Sequence, residues 1–177
     1  MSLITIANDT LELDVVPEAG ASIARLAARV RGNVVPILRP TPDDAIASLN
    51  SSLFASFALV PWSNRLADAR FTFRGATHQL KPNTPEGYAI HGDVRKRPWR
   101  VVAQTATTLE LAFASRDFAD VNFPFPFEVV LRYALDGATF GATIELTSRA
   151  TEPMPAGMGF HPYYRRALLD DAEQVEL

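Results

Sequence analysis

The 177-residue chain has no cysteine. Disulfides, thiolate nucleophiles and cysteine-bound metals are thereby excluded. Lysine is scarce, Lys81 and Lys96 being the only ones, so positive charge is carried by arginine. The net charge of −3 offers no electrostatic footprint for nucleic acid. No apolar run is long enough to span a membrane. Residues 1 to 20 lack a basic-then-apolar leader, and acids already stand at Asp9 and Glu12. These absences lead to the expectation of a soluble, reduced, cytoplasmic protein. No His pair shows ligand spacing, so no metal site is expected, and no motif indicates an organic cofactor.

What the chain does have is alternation. An apolar fraction of 47% and a charged fraction of 21% suit one globular domain over residues 1–177. Leu11, Leu13 and Val15 alternate with Thr10, Glu12 and Asp14. Phe71 and Phe73 alternate with Arg70, Thr72 and Arg74, and Leu109, Leu111 and Phe113 with Thr108 and Glu110. Phe127, Val129, Leu131, Tyr133 and Leu135 form the cleanest series, followed by Phe140, Ala142, Ile144 and Leu146. Period two marks half-buried strands. Asp136-Gly137-Ala138 predicts a tight hairpin between the last two, and Arg74-Gly75-Ala76 a second one.

Helical signals are few. Ala21–Val30 has some helical character, but the flanking Gly20 and Gly32-Asn33 favour a strand. Thr41–Leu49, with Pro42 and two aspartates near its start, predicts one short helix. Residues 56–65 and 81–99 read as long ordered loops, and 118–127 as a third that closes an apolar lid over the sandwich edge. The class is all-β, an antiparallel β-sandwich of two packed sheets. Loops on such a scaffold are where binding chemistry sits.

Three loop elements carry the polar groups. Gly157-Met-Gly-Phe-His-Pro-Tyr-Tyr164 places His161 before a proline that favours extended backbone, among aromatics suited to a small polar ring. Pro61-Trp-Ser-Asn-Arg65 and Ala89-Ile-His-Gly92 are the other two. Taken singly, each residue has a plain structural reading. His91 serves as a hydrogen-bonding loop residue, Asn64 as a turn former and Arg65 as a surface cation. Trp62 and Trp99 read as packing residues, and His78 as exposed and inert on the polar side of its hairpin.

Together, in order and spacing, the elements resemble the aldose 1-epimerase (galactose mutarotase) family. That family carries Asn-Arg-(Ile/Leu), an aromatic hairpin Phe-x-Phe-x-Gly, an Asn, a His-Gly element, and Met-Pro followed by Gly-x-His-Pro-Tyr. Here these read NRLADARFTFRGATHQLKPN, AIHG and MPAGMGFHPYY. The resemblance implies a galactose mutarotase-like supersandwich that interconverts the α and β anomers of a free hexose. It assigns His161 as the acid that protonates the ring oxygen and His91 as the histidine that hydrogen-bonds the sugar near it. Asn64 and Arg65 fall on the pair that contacts sugar hydroxyls, and Tyr163 on the pocket lining. The chemistry suits the residue types: mutarotation is a general acid–base reaction, and imidazole titrates near working pH.

The match is incomplete. The family's base is a glutamate near the end of a longer chain, and a sugar-binding aspartate precedes it. Glu173, Glu176, Asp170 and Asp171 follow His161 without a context that matches either role, and Ser148 stands where an asparagine often does. The expectation is therefore the N-terminal two-thirds of the family fold, with activity impaired and open sheet edges that invite self-association. A non-catalytic carbohydrate-binding domain is the alternative of a different class. A hexose-6-phosphate 1-epimerase is the enzymatic variant, with Arg95, Lys96 and Arg97 as phosphate ligands unless that basic run is merely a solvated loop.

Overall fold

The computed structural model describes residues 2–168. Asp170, Asp171, Glu173 and Glu176 lie outside the described residues. Four strands open the chain: β1 (Ile4–Ala7), β2 (Leu11–Val16), β3 (Ser22–Val30) and β4 (Asn33–Pro36). They form one antiparallel sheet in sequence order. The 21–30 segment is thus a strand, as its flanking glycines suggest. A short helix α1 (Asp43–Ala47) follows, with Pro42 at its N-cap and both aspartates in its first turn.

The middle of the chain contributes short pieces: β5 (Ala58–Leu59), β6 (Arg65–Leu66), the hairpin strands β7 (Arg70–Phe73) and β8 (Ala76–Gln79), and β9 (Ala89–Ile90). Then come β10 (Arg100–Gln104), β11 (Thr108–Ala114), β12 (Phe127–Asp136) and β13 (Thr139–Ser148), a second four-stranded antiparallel sheet in sequence order. A last pair of residues, β14 (Gly159–Phe160), returns to pair with β5. The β12–β13 turn is tight, with Asp136 opposite Thr139 and Gly137 at φ 53°.

The two large sheets share one core. Leu13, Val15 and Leu26 from the first pack in the same cluster as Leu111, Phe113, Val129 and Leu131 from the second. Inward side chains of β12 are all buried, as alternation requires. Those of β13 are only half-buried, because β13 is the outer strand of its sheet among the described residues. Phe140, Ala142, Ile144 and Leu146 pack against the core margin rather than within it. A smaller cluster of Trp62, Ala69, Leu80 and Ala89 is covered by Phe71 and Phe123. The 118–127 loop therefore closes over the β7–β8 hairpin. His78 is not on the hairpin's polar side. It pairs across from Phe71, stacks on that ring at 5.0 Å and meets Phe125 edge-on at 5.2 Å. Counting from Phe71 along the turn, position 78 falls on the aromatic face.

A buried side-chain bond ties the sheets together. The buried Tyr133 hydroxyl, on β12, donates to the carbonyl of Ala21, next to β3, at 2.9 Å. Burial pushes the phenol pKa well up, so it stays a donor. Tyr133→Phe deprives the Ala21 carbonyl of this donor in a buried setting and is expected to cost about 1–3 kcal/mol. A lower urea midpoint with an unchanged slope is the expected reading.

Candidate functional site

The three motif loops meet on one run of backbone, residues 55–65. Along one side it pairs with the last described segment. Gly159 stands opposite Leu59 and Phe160 opposite Ala58. His161 N–H donates to the Phe57 carbonyl at 3.0 Å and Tyr163 N–H to that of Ala55 at 2.9 Å. Along the other side it pairs with residues 89–94. Arg65 stands opposite Ile90, His91 N–H donates to the Asn64 carbonyl at 3.0 Å, and Asp93 N–H donates to that of Val60 at 2.8 Å. Ala55, Ala58 and Val60 face the core beneath. The Val60–Pro61 peptide bond is cis.

Two local requirements fix His91. It has a positive φ of 62°, and Gly92 follows at 71°. A Cβ on Gly92 would lie 1.9 Å from the Val60 carbonyl oxygen, so only glycine lets the two strands approach. Asn83, the asparagine of the hairpin motif, braces the same stretch. Its side chain donates to the Ile90 carbonyl at 3.0 Å and accepts from the Ile90 N–H at 2.8 Å.

The side chains then converge. The His91 and His161 rings lie 5.2 Å apart, edge to face. His161 stacks on Phe57 at 4.9 Å, only 20° from parallel, and Tyr163 lies 4.7 Å from His161. His91 Nδ1 lies 3.3 Å from the Ser63 carbonyl oxygen. A carbonyl only accepts, so this contact selects the Nδ1–H tautomer and leaves Nε2 as an acceptor. Arg65 is exposed, sits 5.7 Å over the Tyr88 ring, and its charge acts on His91. The Asn64 side chain is exposed beside it, and its carbonyl holds His91. The histidines themselves are half-buried. A cavity of about 580 Å³ adjoins the site, lined by Arg39, Pro162, Tyr163 and Tyr164 and by neither histidine. Among the described residues, no group of three or more His, Asp or Glu is placed to hold a metal ion. No helix among them is long and apolar enough to cross a membrane.

Sequence reasoning missed Phe57, the ring against which both imidazoles are set, and Arg39, whose guanidinium lies 4.1 Å over Tyr163. The run Arg95-Lys96-Arg97 is also not a solvated loop. Arg95 is buried, and Arg97 is half-buried in ion pairs with Asp93 at 2.6 Å and Asp120 at 2.8 Å. Trp62 and Trp99 are buried, each donating its indole N–H to a backbone carbonyl at 3.3 Å.

The antiparallel sandwich is the galactose mutarotase-like architecture. A galactose mutarotase-like protein from Clostridium acetobutylicum superposes with a TM-score of 0.82 over 97% of this chain and 53% of its own, at 22% identity. The chain belongs to the aldose 1-epimerase family, whose sequence pattern matches residues 2–176. A crystal structure of a putative aldose 1-epimerase from Escherichia coli K12 is 28% identical, with a TM-score of 0.79 over 94% of this chain and 53% of that one. The Escherichia coli aldose 1-epimerase is 30% identical over 138 residues, 72% of this chain and 36% of its own length. The chain spans about half the length of the relatives it matches along nearly its whole extent.

The surroundings of His91 make a pH prediction. Burial is the largest influence and lowers its pKa below the ordinary 6.5; Arg95, His161 and Arg65 lower it further, against the Ser63 carbonyl, which raises it. The unfolded chain then binds a proton that the folded one resists. Stability is therefore greatest above the unfolded value and is lost as pH falls from about 6.5 through the lower folded value. In His91→Gln, the decline in urea midpoint between neutral and mildly acidic pH is expected to be shallower than in the parent chain.

Proposed function

We propose that this chain supplies the sugar-binding and acid-donating part of an aldose 1-epimerase acting on a free hexose. His161 is the acid toward the ring oxygen. Its stack on Phe57 and its main-chain bond to the Phe57 carbonyl hold the imidazole in one orientation. His91, with Nδ1–H turned to Ser63, presents Nε2 as an acceptor for a sugar hydroxyl near that oxygen. The exposed Arg65 fork and the Asn64 amide bind further hydroxyls, and Tyr163 lines the hollow. Reaction requires a proton to leave the C1 hydroxyl as another reaches the ring oxygen. The ring opens, the aldehyde carbon turns, and closure occurs on its other face.

The observation that supports this reading most strongly is the edge-to-face imidazole pair, built from two loops far apart in sequence and joined through Phe57. Binding without turnover is the second reading. It draws support from the charges that act on His91, which are Arg95, His161 and Arg65, with no carboxylate among them.

Polarimetry of α-galactose and α-glucose, beside calorimetric titration with the same sugars, tests both. Expected for the enzyme is anomerisation faster than the buffer rate, reduced about 10²–10⁴-fold in His161→Ala. Binding with no acceleration supports the non-catalytic domain. Acceleration that survives in His161→Ala removes His161 from the acid role. Neither binding nor acceleration overturns the sugar assignment.

A further inference from the structure

Arg95 is the side chain in this molecule whose environment is least explained by the fold. It is buried at 5% exposure, yet no carboxylate pairs with it among the described residues. Its Nη1 donates to the Ser52 hydroxyl at 3.0 Å, and its Nε–H is buried with no acceptor. Burial lowers its pKa against an opposing influence of Tyr163, but a guanidinium stays charged, so the cation persists with its Nε–H shut away from water. An unpaired buried cation is a cost to the fold, and some compensating interaction must hold it there.

Its neighbours show what that interaction is. The guanidinium carbon lies 5.3 Å over the Phe57 ring, within reach of a cation–π contact that desolvation strengthens. Phe57 is the ring that carries His161 at 4.9 Å and stands 6.1 Å from His91 and 6.4 Å from Tyr163. The main chain of Arg95 is itself locked. A Cβ on Gly20 would lie 2.2 Å from the Arg95 carbonyl oxygen, so the turn through residues 94–96 is pressed against glycine. The side chain thus projects from a fixed root beneath the site.

We propose that Arg95 is the positioning residue of the histidine pair: its buried guanidinium fixes the Phe57 ring on which His161 is stacked and beside which His91 stands. Its charge adds to burial, the larger influence, in disfavouring protonation of His91. The role rests on reading that pair as the reacting groups. The charged groups that face His91 are Arg95 from the 94–96 turn, Arg65 from β6 and His161 beyond β14; the Ser63 carbonyl opposes them. Of the two arginines, Arg65 is exposed and screened, whereas Arg95 is not. Arg95 therefore contributes the arginine charge that salt does not remove. A neutral His91 accepts a hydroxyl hydrogen at Nε2, while a protonated one would repel His161 and donate instead.

The test is proton-detected NMR titration of the intact chain, whose three histidines, His78, His91 and His161, are assigned by single substitutions to asparagine. In Arg95→Met the His91 midpoint is expected to move up toward the ordinary value, while His78 stays put. The ring-current shift of His161 from Phe57 is expected to shrink. In Arg95→Lys the His91 midpoint stays low, because the charge remains, while the His161 ring-current shift still changes. Should Arg95→Met fail to fold, Arg95→Lys and Ser52→Ala decide through the His161 shift alone. An unmoved His91 midpoint in folded Arg95→Met, or an unchanged His161 shift in both other variants, overturns the proposal. These readings need no sugar. A parent chain that neither binds nor anomerises sugar removes the function while leaving the Arg95 result to stand or fall by itself.

Discussion

Everything at the loop junction depends on the main chain of residues 55–65 being hydrogen-bonded on both sides at once. Phe57 and Ala55 receive the segment that carries His161 and Tyr163, while Val60 and Asn64 receive the segment that carries His91. A strand with two partners cannot shift to suit one without losing the other. Ala55, Ala58 and Val60 go down into the sandwich, and Phe57 goes up between the imidazoles and Arg95. The core thus sets the height and tilt of Phe57, and Phe57 sets the histidines.

Most of the sandwich was legible because its strands have one wet face and one dry face. The Phe127–Leu135 series and the Gly137 turn are read straight from period two and a positive φ. What alternation could not give is how completely a strand is covered. Phe140 to Leu146 alternate as cleanly as the strand before them, but burial of β13 depends on what lies beside it, which is not a local property. His78 shows the opposite failure. Its polarity suggested the wet face, whereas parity with Phe71 across the turn puts it among aromatics.

The candidate site was legible in its named residues and not in their support. His91, His161, Asn64, Arg65 and Tyr163 stand in motifs whose spacing can be compared with a family. Phe57 and Arg95 do not, and each looks ordinary: a phenylalanine in an apolar stretch and an arginine in a basic run. Their roles come from burial and contact, and for Arg95 the sequence pointed away from both. The three cations in that run have three different fates. Arg95 is buried without a carboxylate, Lys96 faces solvent, and Arg97 is held by two aspartates. A charge run says nothing about which member turns inward.

The way the last described segment is attached has a mechanical consequence. Arg165 N–H bonds to Ile37, Tyr163 N–H to Ala55 and His161 N–H to Phe57, in that order toward the junction. Bonds arranged this way open like a zip, one after another, rather than like a shear contact that fails all together. Tyr163 is held twice, because the Arg39 N–H also donates to its carbonyl at 2.7 Å, so opening from Arg165 must break both of these bonds before it reaches His161, with both large sheets still intact. Withdrawing His161 by such a partial opening costs far less than unfolding, and amide exchange is expected to quicken from His161 outward along the segment.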